Sequence, residues 1–167
     1  MLNYFILFDI EANYSLDIAK LKKKYLKLAA EFHPDRAESE KEKIIFLEKS
    51  MHLNEAYMSL IDEYKRAQHL LMIKGALPDE EEARGIVSPQ DLEQIWDLND
   101  ELESASELQT LFAFEKKVLS QKDFLVAELT NDFSEGNIEK GVELTVKLKY
   151  LTDLVKNIRL KIKDANN

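Results

Sequence analysis

The sequence predicts an all-α protein built from two helical modules, and three observations support this fold class. The chain has 167 residues, of which 45% are apolar and 33% charged, as in soluble globular proteins. It contains only four glycines and three prolines, which leaves little material for the many turns of a β fold. Apolar residues recur at spacings of three and four, which is the period of an amphipathic helix.

A change of charge and a break in the helical pattern divide the chain. Residues 1–75 carry 12 basic and 12 acidic side chains, whereas residues 76–167 carry 11 and 20, so the net charge of −9 lies in the second segment. Gly75 suits the left-handed cap at the end of a helix, and Pro78 and the acidic run Asp79–Glu82 follow it. We therefore expect a first module over residues 1–75, a linker with nothing to bury over 76–87, and a second module over 88–167.

The first module is expected to be an antiparallel helical hairpin with two short helices. A short helix or turn over residues 4–8 precedes a second helix, which Ser15 or Asp17 can cap and which ends before Pro34. A third helix is predicted over about residues 41–61 and a fourth over 64–73. The two long helices each carry one apolar stripe, so we expect them to pack against each other. These stripes are Ile18, Leu21, Tyr25, Leu28, Ala29 and Phe32, and Phe46, Ser50, Leu53, Tyr57 and Leu60.

The second module is expected to be an antiparallel three-helix bundle, with helices over residues 89–104, 106–133 and 138–163. Ser88 can cap the first of them, with Pro89 at the first helical position, and residues 134–137 form a turn. The residues predicted to face the core are Ile95, Leu98 and Leu102, then Leu108, Leu111, Phe112, Val118, Leu125, Leu129 and Phe133, then Ile138, Leu148, Leu151, Val155, Ile158 and Ile162.

Composition excludes several classes of protein. Without cysteine, the chain has no disulfide, thiolate zinc site or cysteine nucleophile, and it lacks an apolar run long enough for a membrane helix. An isoelectric point near 4.9 argues against a general nucleic-acid binder. His33, His52 and His69 are far apart in the pattern, and phosphate-loop and metalloprotease motifs are missing. We expect no catalysis, no metal and no cofactor.

The opening residues have neither the basic region and cleavage site of a secretory signal nor the Arg-rich character of a transit peptide. We therefore expect a cytoplasmic bacterial protein, or a mitochondrial matrix protein if a transit peptide has been removed.

His33-Pro34-Asp35 follows directly after a lysine-rich helix, and Lys65-Arg66-Ala67 opens the last helix of the first module. With the two apolar stripes, this arrangement resembles the J-domain family throughout residues 1–75. The resemblance implies binding to an ATP-loaded DnaK-type chaperone and stimulation of its ATP hydrolysis. The residues it implies are His33, Pro34 and Asp35 in the loop and Lys22, Lys23 and Lys27 on the basic face. Leu26 departs from the pattern, because many J-domains have another basic residue there.

Elementary physical chemistry agrees with these roles. Lysines on one exposed face attract an acidic partner over about 8–10 Å at physiological salt. Proline fixes the loop before binding, and Asp35 can accept charge-assisted hydrogen bonds from an arginine of the partner.

The whole arrangement of J-domain, short acidic linker and acidic three-helix bundle resembles the HscB/Jac-type iron–sulfur co-chaperones. Shorter segments also resemble this family, including residues 3–8, 53–57 and 147–151. The resemblance implies that the bundle binds an IscU-type scaffold protein, on which iron–sulfur clusters are assembled, while the J-domain acts on an HscA-like chaperone.

Residues outside the core-facing stripes predict where the scaffold binds. Leu92 and Trp96 form an i, i+4 pair beside acidic residues, and Tyr150 falls off the stripe of the last helix. Exposed apolar groups with an acidic rim are typical of a partner site. Matching to the family's scaffold-binding positions gives Leu92, Trp96, Asp97, Asp100 and Tyr150, although Glu93 and Ser104 depart from the family pattern. The alternative is that Trp96 merely widens the core stripe.

Two other functions remain open at this point. The protein could be a J-domain co-chaperone for a different client, or a non-catalytic helical adaptor in which His33-Pro34-Asp35 is incidental. Stimulation of a chaperone ATPase and binding of the scaffold discriminate among the three.

Overall fold

Helices form all of the regular secondary structure in residues 2–166, which are the residues that this computed structural model describes. The predicted all-α fold class is confirmed. Among these residues, no helix is both long and apolar enough to cross a membrane. The chain forms two units, Met1–Gly75 and Ala76–Asn167, and each is described by itself.

The first unit contains four α-helices and one 3₁₀ turn within the described residues. They are α1 (Tyr4–Leu7), α2 (Ile18–Glu31), the turn Pro34–Arg36, α3 (Glu40–Ile61) and α4 (Glu63–Ile73). Of the two caps considered for α2, Asp17 is the one used, since its carboxylate accepts a hydrogen bond from the Lys20 amide at 2.9 Å. Gly75 has a φ of +68° just after α4, in the left-handed region that favours glycine.

Aromatic contacts at two levels hold α2 and α3 together as the predicted hairpin. At the middle of α2 the rings of Tyr25 and Tyr57 stack with their centroids 4.2 Å apart. At the C-terminal end of α2 the Phe32 and Phe46 rings meet edge to face at 5.7 Å, and the Ser50 hydroxyl donates to the Phe32 carbonyl at 2.8 Å. Because Phe32 is the C-terminal cap of α2, these contacts fix the point where the connecting loop begins.

Two side chains of α4 attach the N-terminal segment and close the end of α3. His69 is buried, its Nε2 accepts a hydrogen bond from the Tyr4 amide at 2.9 Å, and its ring stacks on the Tyr4 ring at 4.1 Å. The buried Arg66 donates to the Leu60 carbonyl at 2.8 Å, and its guanidinium lies over the Tyr14 ring. Arg66 of the Lys65-Arg66-Ala67 segment therefore has a structural role in the first unit.

We expect His69 to make the stability of the first unit depend on pH. Burial lowers the pKa of His69 below the usual 6.5, and Nε2 must be unprotonated to accept from the Tyr4 amide. The unfolded state therefore binds more protons, so this stabilisation is complete above pH about 6.5 and is lost as the pH falls through the lowered pKa. The melting temperature of this unit should fall as the pH is lowered below about 6.5.

The variant that isolates this effect is His69→Gln, because the glutamine oxygen can accept the same hydrogen bond without titrating in this range. We expect His69→Gln to show a weaker pH dependence and His52→Gln, at an exposed histidine, to keep the parent's dependence. Equal slopes of melting temperature against pH in the parent and His69→Gln would contradict this assignment.

The second unit contains α5 (Glu80–Ile86), α6 (Pro89–Ser104), α7 (Leu108–Glu135) and α8 (Ile138–Ala165). Helices α7 and α8 are joined at Gly136, whose φ is +79°. Buried residues of α6, α7 and α8 form one core, as the three-helix bundle predicts. This core consists of Leu98, Leu102, Ala105, Leu111, Phe114, Val118, Leu151, Leu154, Val155 and Ile158.

The predicted linker is helical over α5, and the expectation that it buries nothing is wrong. Asp79 and Glu82 form a capping box, in which the Asp79 carboxylate accepts from the Glu82 amide at 2.9 Å and the Glu82 carboxylate accepts from the Asp79 amide at 3.0 Å. The acidic run lies in the first turn, where the helix dipole favours negative charge. Helix α5 contacts α8, and Val87, which directly follows α5, is buried.

One predicted core residue of α7 is also wrong. Phe112 is 52% exposed, whereas Phe114 is 3% exposed and takes the core position. The buried residues Leu111, Phe114 and Val118 follow spacings of three and four, and Phe112 falls outside that series.

Candidate functional site

The loop between α2 and α3 presents His33 and Asp35 to solvent in a locally ordered conformation. Pro34 opens the 3₁₀ turn, where its fixed φ is compatible with the helical geometry. The Asp35 amide donates to His33 Nδ1 at 3.3 Å, and the Arg36 amide donates to the His33 carbonyl at 2.9 Å. These local bonds leave the exposed Asp35 carboxylate able to accept hydrogen bonds from another molecule.

Arg36 is a supporting residue that the sequence reasoning missed. Its guanidinium donates to the Ala30 carbonyl at 3.2 Å, in the last turn of α2. The bond satisfies a carbonyl that has no partner within the helix and ties the loop back to α2. A basic residue shortly after a helix end is the sequence signal that could have indicated this role.

The predicted basic face of α2 is exposed. Lys22, Lys23 and Lys27 are solvent-accessible, and none of the ion pairs within residues 2–166 includes them. Lys24 differs, because its ammonium pairs with the Asp9 carboxylate at 3.0 Å. Leu26 is 55% exposed within the same segment, so the face combines three available cations with one apolar side chain.

On α6 the structure separates the predicted scaffold residues from the core. Trp96 is 68% exposed, so the alternative in which it widens the core stripe is wrong. Asp97 and Asp100 are also exposed, whereas Leu92 of α6 and Tyr150 of α8 are half-buried. Leu98, two residues from Trp96, is buried in the core.

An ion pair joins α6 to α8 next to the predicted scaffold residues. The Lys147 ammonium lies 2.9 Å from the Asp91 carboxylate and 2.7 Å from that of Glu143. A hydrogen bond from the Ser88 hydroxyl, together with Lys147, lowers the pKa of Asp91. Leu92 follows Asp91 directly and Tyr150 lies about one turn after Lys147, so this pair places the two helices side by side where these residues lie.

A second tie joins the other end of α6 to α8. The Lys161 ammonium donates to the Leu102 carbonyl at 2.6 Å and to the Glu103 carbonyl at 2.8 Å. Helix α6 is therefore attached to α8 near both of its ends. Within residues 2–166, no group of three or more His, Asp or Glu side chains is arranged to hold a metal ion.

Comparisons with known proteins agree with both halves of this description. Residues 3–69 match the DnaJ domain family, and residues 87–159 match the family described as the HSCB C-terminal oligomerisation domain. A co-chaperone protein HscB homolog from Vibrio cholerae serotype O1 (strain M66-2) is 28% identical over 159 residues, which cover 92% of each chain.

Two solved structures have the same fold over most of the chain. Chaperone HscB from Vibrio cholerae superposes with a TM-score of 0.82 at 27% identity, over 98% of both chains. The crystal structure of human co-chaperone protein HscB gives a TM-score of 0.86 at 26% identity, over 96% of this chain and 82% of that chain. Since both domain families match in order and these similarities extend across the chain, the protein belongs to the HscB family of J-domain co-chaperones.

Proposed function

We propose that this protein is a co-chaperone of iron–sulfur cluster biogenesis, with no catalysis of its own. It binds an IscU-type scaffold through the α6–α8 face and delivers it to a DnaK/HscA-type chaperone, whose ATPase it stimulates. One observation carries the proposal: the same chain presents an exposed His33-Pro34-Asp35 loop and an exposed apolar residue, Trp96, beside acidic side chains.

The chaperone-binding half is supported by the loop and by the charge of α2. The loop is ordered by its own hydrogen bonds, so little conformational entropy is lost when a partner binds it. Lys22, Lys23 and Lys27 accelerate the encounter with an acidic surface, and Asp35 accepts hydrogen bonds from a basic side chain of the chaperone. The ATP-hydrolysing groups belong to the chaperone, and this chain contributes the binding energy that favours its active conformation.

The scaffold-binding half is supported by the surface around Trp96. A large exposed aromatic side chain is the kind of residue that supplies most of the binding energy at protein interfaces. Leu92 and Tyr150 add apolar area, and Asp97 and Asp100 form a rim that favours a partner with basic side chains. A bacterial cytoplasmic protein remains our proposal from the sequence, and the curated relative reported above is bacterial.

The direct test combines scaffold capture with a chaperone assay. We expect immobilised protein to retain a purified IscU-type scaffold, and the soluble protein to raise the ATPase rate of a DnaK/HscA-type chaperone. Stimulation without scaffold capture would indicate a J-domain co-chaperone for another client. Capture without stimulation would indicate an adaptor and would contradict the proposed J-domain activity.

Reversing the charge of the basic face should weaken chaperone binding. In the triple variant Lys22→Glu, Lys23→Glu and Lys27→Glu, we expect a lower association rate and a smaller dependence of that rate on salt, because exposed charges act over a distance that salt screens. Association rates measured at low and high salt check this. The matched control reverses Lys116, Lys149 and Lys156, three exposed lysines of the second unit, and should leave the rate unchanged. Parent-like rates and salt dependence in the α2 variant would show that the lysines are only a solvated surface.

A further inference from the structure

The side of α3 that faces away from the core of the first unit carries exposed apolar side chains with no role in the function proposed so far. Four of them are between 52% and 63% exposed and form what we call the α3 stripe, which consists of Ile44, Leu47, Met51 and Met58. Successive helix residues are about 100° apart, so these positions stay within a sector of about 60°. The buried residues Leu53, Ala56 and Leu60 lie on the opposite side of the helix. A continuous apolar stripe opposite the core indicates an interaction site, unlike single exposed apolar residues.

The spacing within the α3 stripe is the one with which a helix packs against another helix. Three of its residues are seven positions apart, and Leu47 follows the first of them by three, as at the a and d positions of a coiled coil. At a rise of about 1.5 Å per residue, the stripe is about 21 Å long, which matches a partner helix of about four turns. Its two methionines are flexible and polarisable, so the stripe can adapt to the side chains of a partner.

Acidic side chains border the α3 stripe along one edge. Glu48 and Glu55 are exposed, and each follows a stripe residue by four positions. No ion pair within residues 2–166 includes either carboxylate, although Glu55 accepts a hydrogen bond from the Tyr4 hydroxyl at 3.1 Å. Lys41 lies at the N-terminal end of the same edge, so the negative charge lies beside the middle and the C-terminal half of the stripe. This edge favours a partner with basic side chains.

A second copy of this chain is a poor partner for the α3 stripe. If two α3 helices packed antiparallel about Met51, Glu48 of each copy would lie beside Glu55 of the other. In a parallel pair each glutamate would face its own counterpart. Like charges in these positions oppose association, whereas basic side chains would stabilise it. The partner that suits both the apolar stripe and its acidic edge is a helix with basic flanks.

We propose that the α3 stripe binds a basic amphipathic helix of a partner protein. Apolar side chains of that helix, at spacings of three and four, pack against the stripe, and its Lys or Arg side chains pair with Glu48 and Glu55. The predicted scaffold residues of α6 and α8 belong to the second unit, so this site is separate from them and does not depend on scaffold binding.

A synthetic peptide tests the proposal on the full-length protein. The probe is a helix of about five turns, with leucines at spacings of three and four and lysines on both flanks. A matched peptide has glutamate in place of every lysine. We expect the lysine peptide to bind about 10-fold or more tightly than the glutamate peptide, because like charges face each other only in the second case. Glu48→Gln should weaken binding of the lysine peptide, and the loss should shrink at high salt.

Paired variants of α3 locate the site, which is necessary because the second unit is also acidic. We expect Ile44→Ser/Met51→Ser to weaken binding of the lysine peptide by about 10-fold or more, with a melting temperature close to the parent's because both side chains are exposed. The matched control is Ile45→Ser/His52→Ser, in which two exposed side chains with the same spacing, one position further along the helix, are replaced. It should bind the peptide as the parent does.

Three results would overturn the proposal. The first is parent-like peptide binding by Ile44→Ser/Met51→Ser, or an equal loss in the matched control, since either would place the peptide elsewhere. The second is equal binding of the lysine and glutamate peptides, or no binding of the lysine peptide by the parent. The third is a concentration-dependent dimer in sedimentation that Ile44→Ser/Met51→Ser abolishes, which would identify a second copy as the occupant.

Discussion

The His33→Gln variant is expected to lose all stimulation of the chaperone ATPase while folding like the parent. The His33 side chain is exposed, and the hydrogen bond that it accepts from the Asp35 amide is local. Removing such a contact changes the free energy of unfolding by no more than about 0.5 kcal/mol. The loop is nevertheless the part of the first unit that the family resemblance assigns to the chaperone, so the loss should appear in the ATPase rate and not in the melting curve.

The matched control for this variant is His52→Gln, the same substitution at an exposed histidine of α3. It should stimulate the chaperone as the parent does. A folded His33→Gln protein that stimulates normally would contradict the assignment of the loop as the chaperone-binding element.

The second large effect is expected from Leu92→Ala combined with Trp96→Ala. Truncating an interface anchor typically costs about 2 kcal/mol or more, so the double variant should bind the scaffold roughly 100-fold or more weakly if the two losses add. Trp96 is 68% exposed and Leu92 half-buried, so the melting temperature should fall only slightly. Titration calorimetry with the scaffold, beside a melting curve, measures both quantities.

Leu98→Ala provides the opposite control on the same helix. Leu98 lies in the bundle core, so its truncation should lower the free energy of unfolding by about 2–5 kcal/mol through the cavity it leaves. The folded variant should still bind the scaffold. A large fall in melting temperature with undiminished scaffold binding in the Leu92/Trp96 double variant would show that the proposed site is misplaced.

Local rules predicted the parts of this structure that local interactions determine. The cap of α2 was narrowed to Ser15 or Asp17, of which Asp17 is used. The helix end before Pro34 and the left-handed Gly75 likewise follow from backbone sterics near those residues. The pairing of α2 with α3 also follows from the sequence, because each helix carries one apolar stripe at the helical period.

Features that depend on neighbouring helices were less predictable. Periodicity identifies the centre of a buried face, but the packing of the other helices decides whether a residue at its edge, such as Phe112, is covered. The acidic run Asp79–Glu82 is compatible with an exposed linker and with the first turn of an exposed helix. The sequence pattern therefore did not predict α5. A groove beside Phe124 is lined by side chains of α6, α7 and α8, so no single helix predicts it.

The candidate sites divide in the same way. His33-Pro34-Asp35 and the α2 lysines could be located from the sequence because the motif is continuous and one helix carries the charge. The support from Arg36 and the pairing of Lys24 with Asp9 could not be predicted from the sequence, since each contact joins residues that are several positions apart in the chain.

The central claim is that one chain couples scaffold binding to chaperone activation. The most direct measurement is the steady-state ATPase rate of a DnaK/HscA-type chaperone with the scaffold alone, with this protein alone, and with both. We expect the rate with both to exceed the sum of the separate increases, and the Leu92→Ala/Trp96→Ala variant to lose this excess while keeping its own stimulation. A rate with both that equals that sum would contradict the coupling.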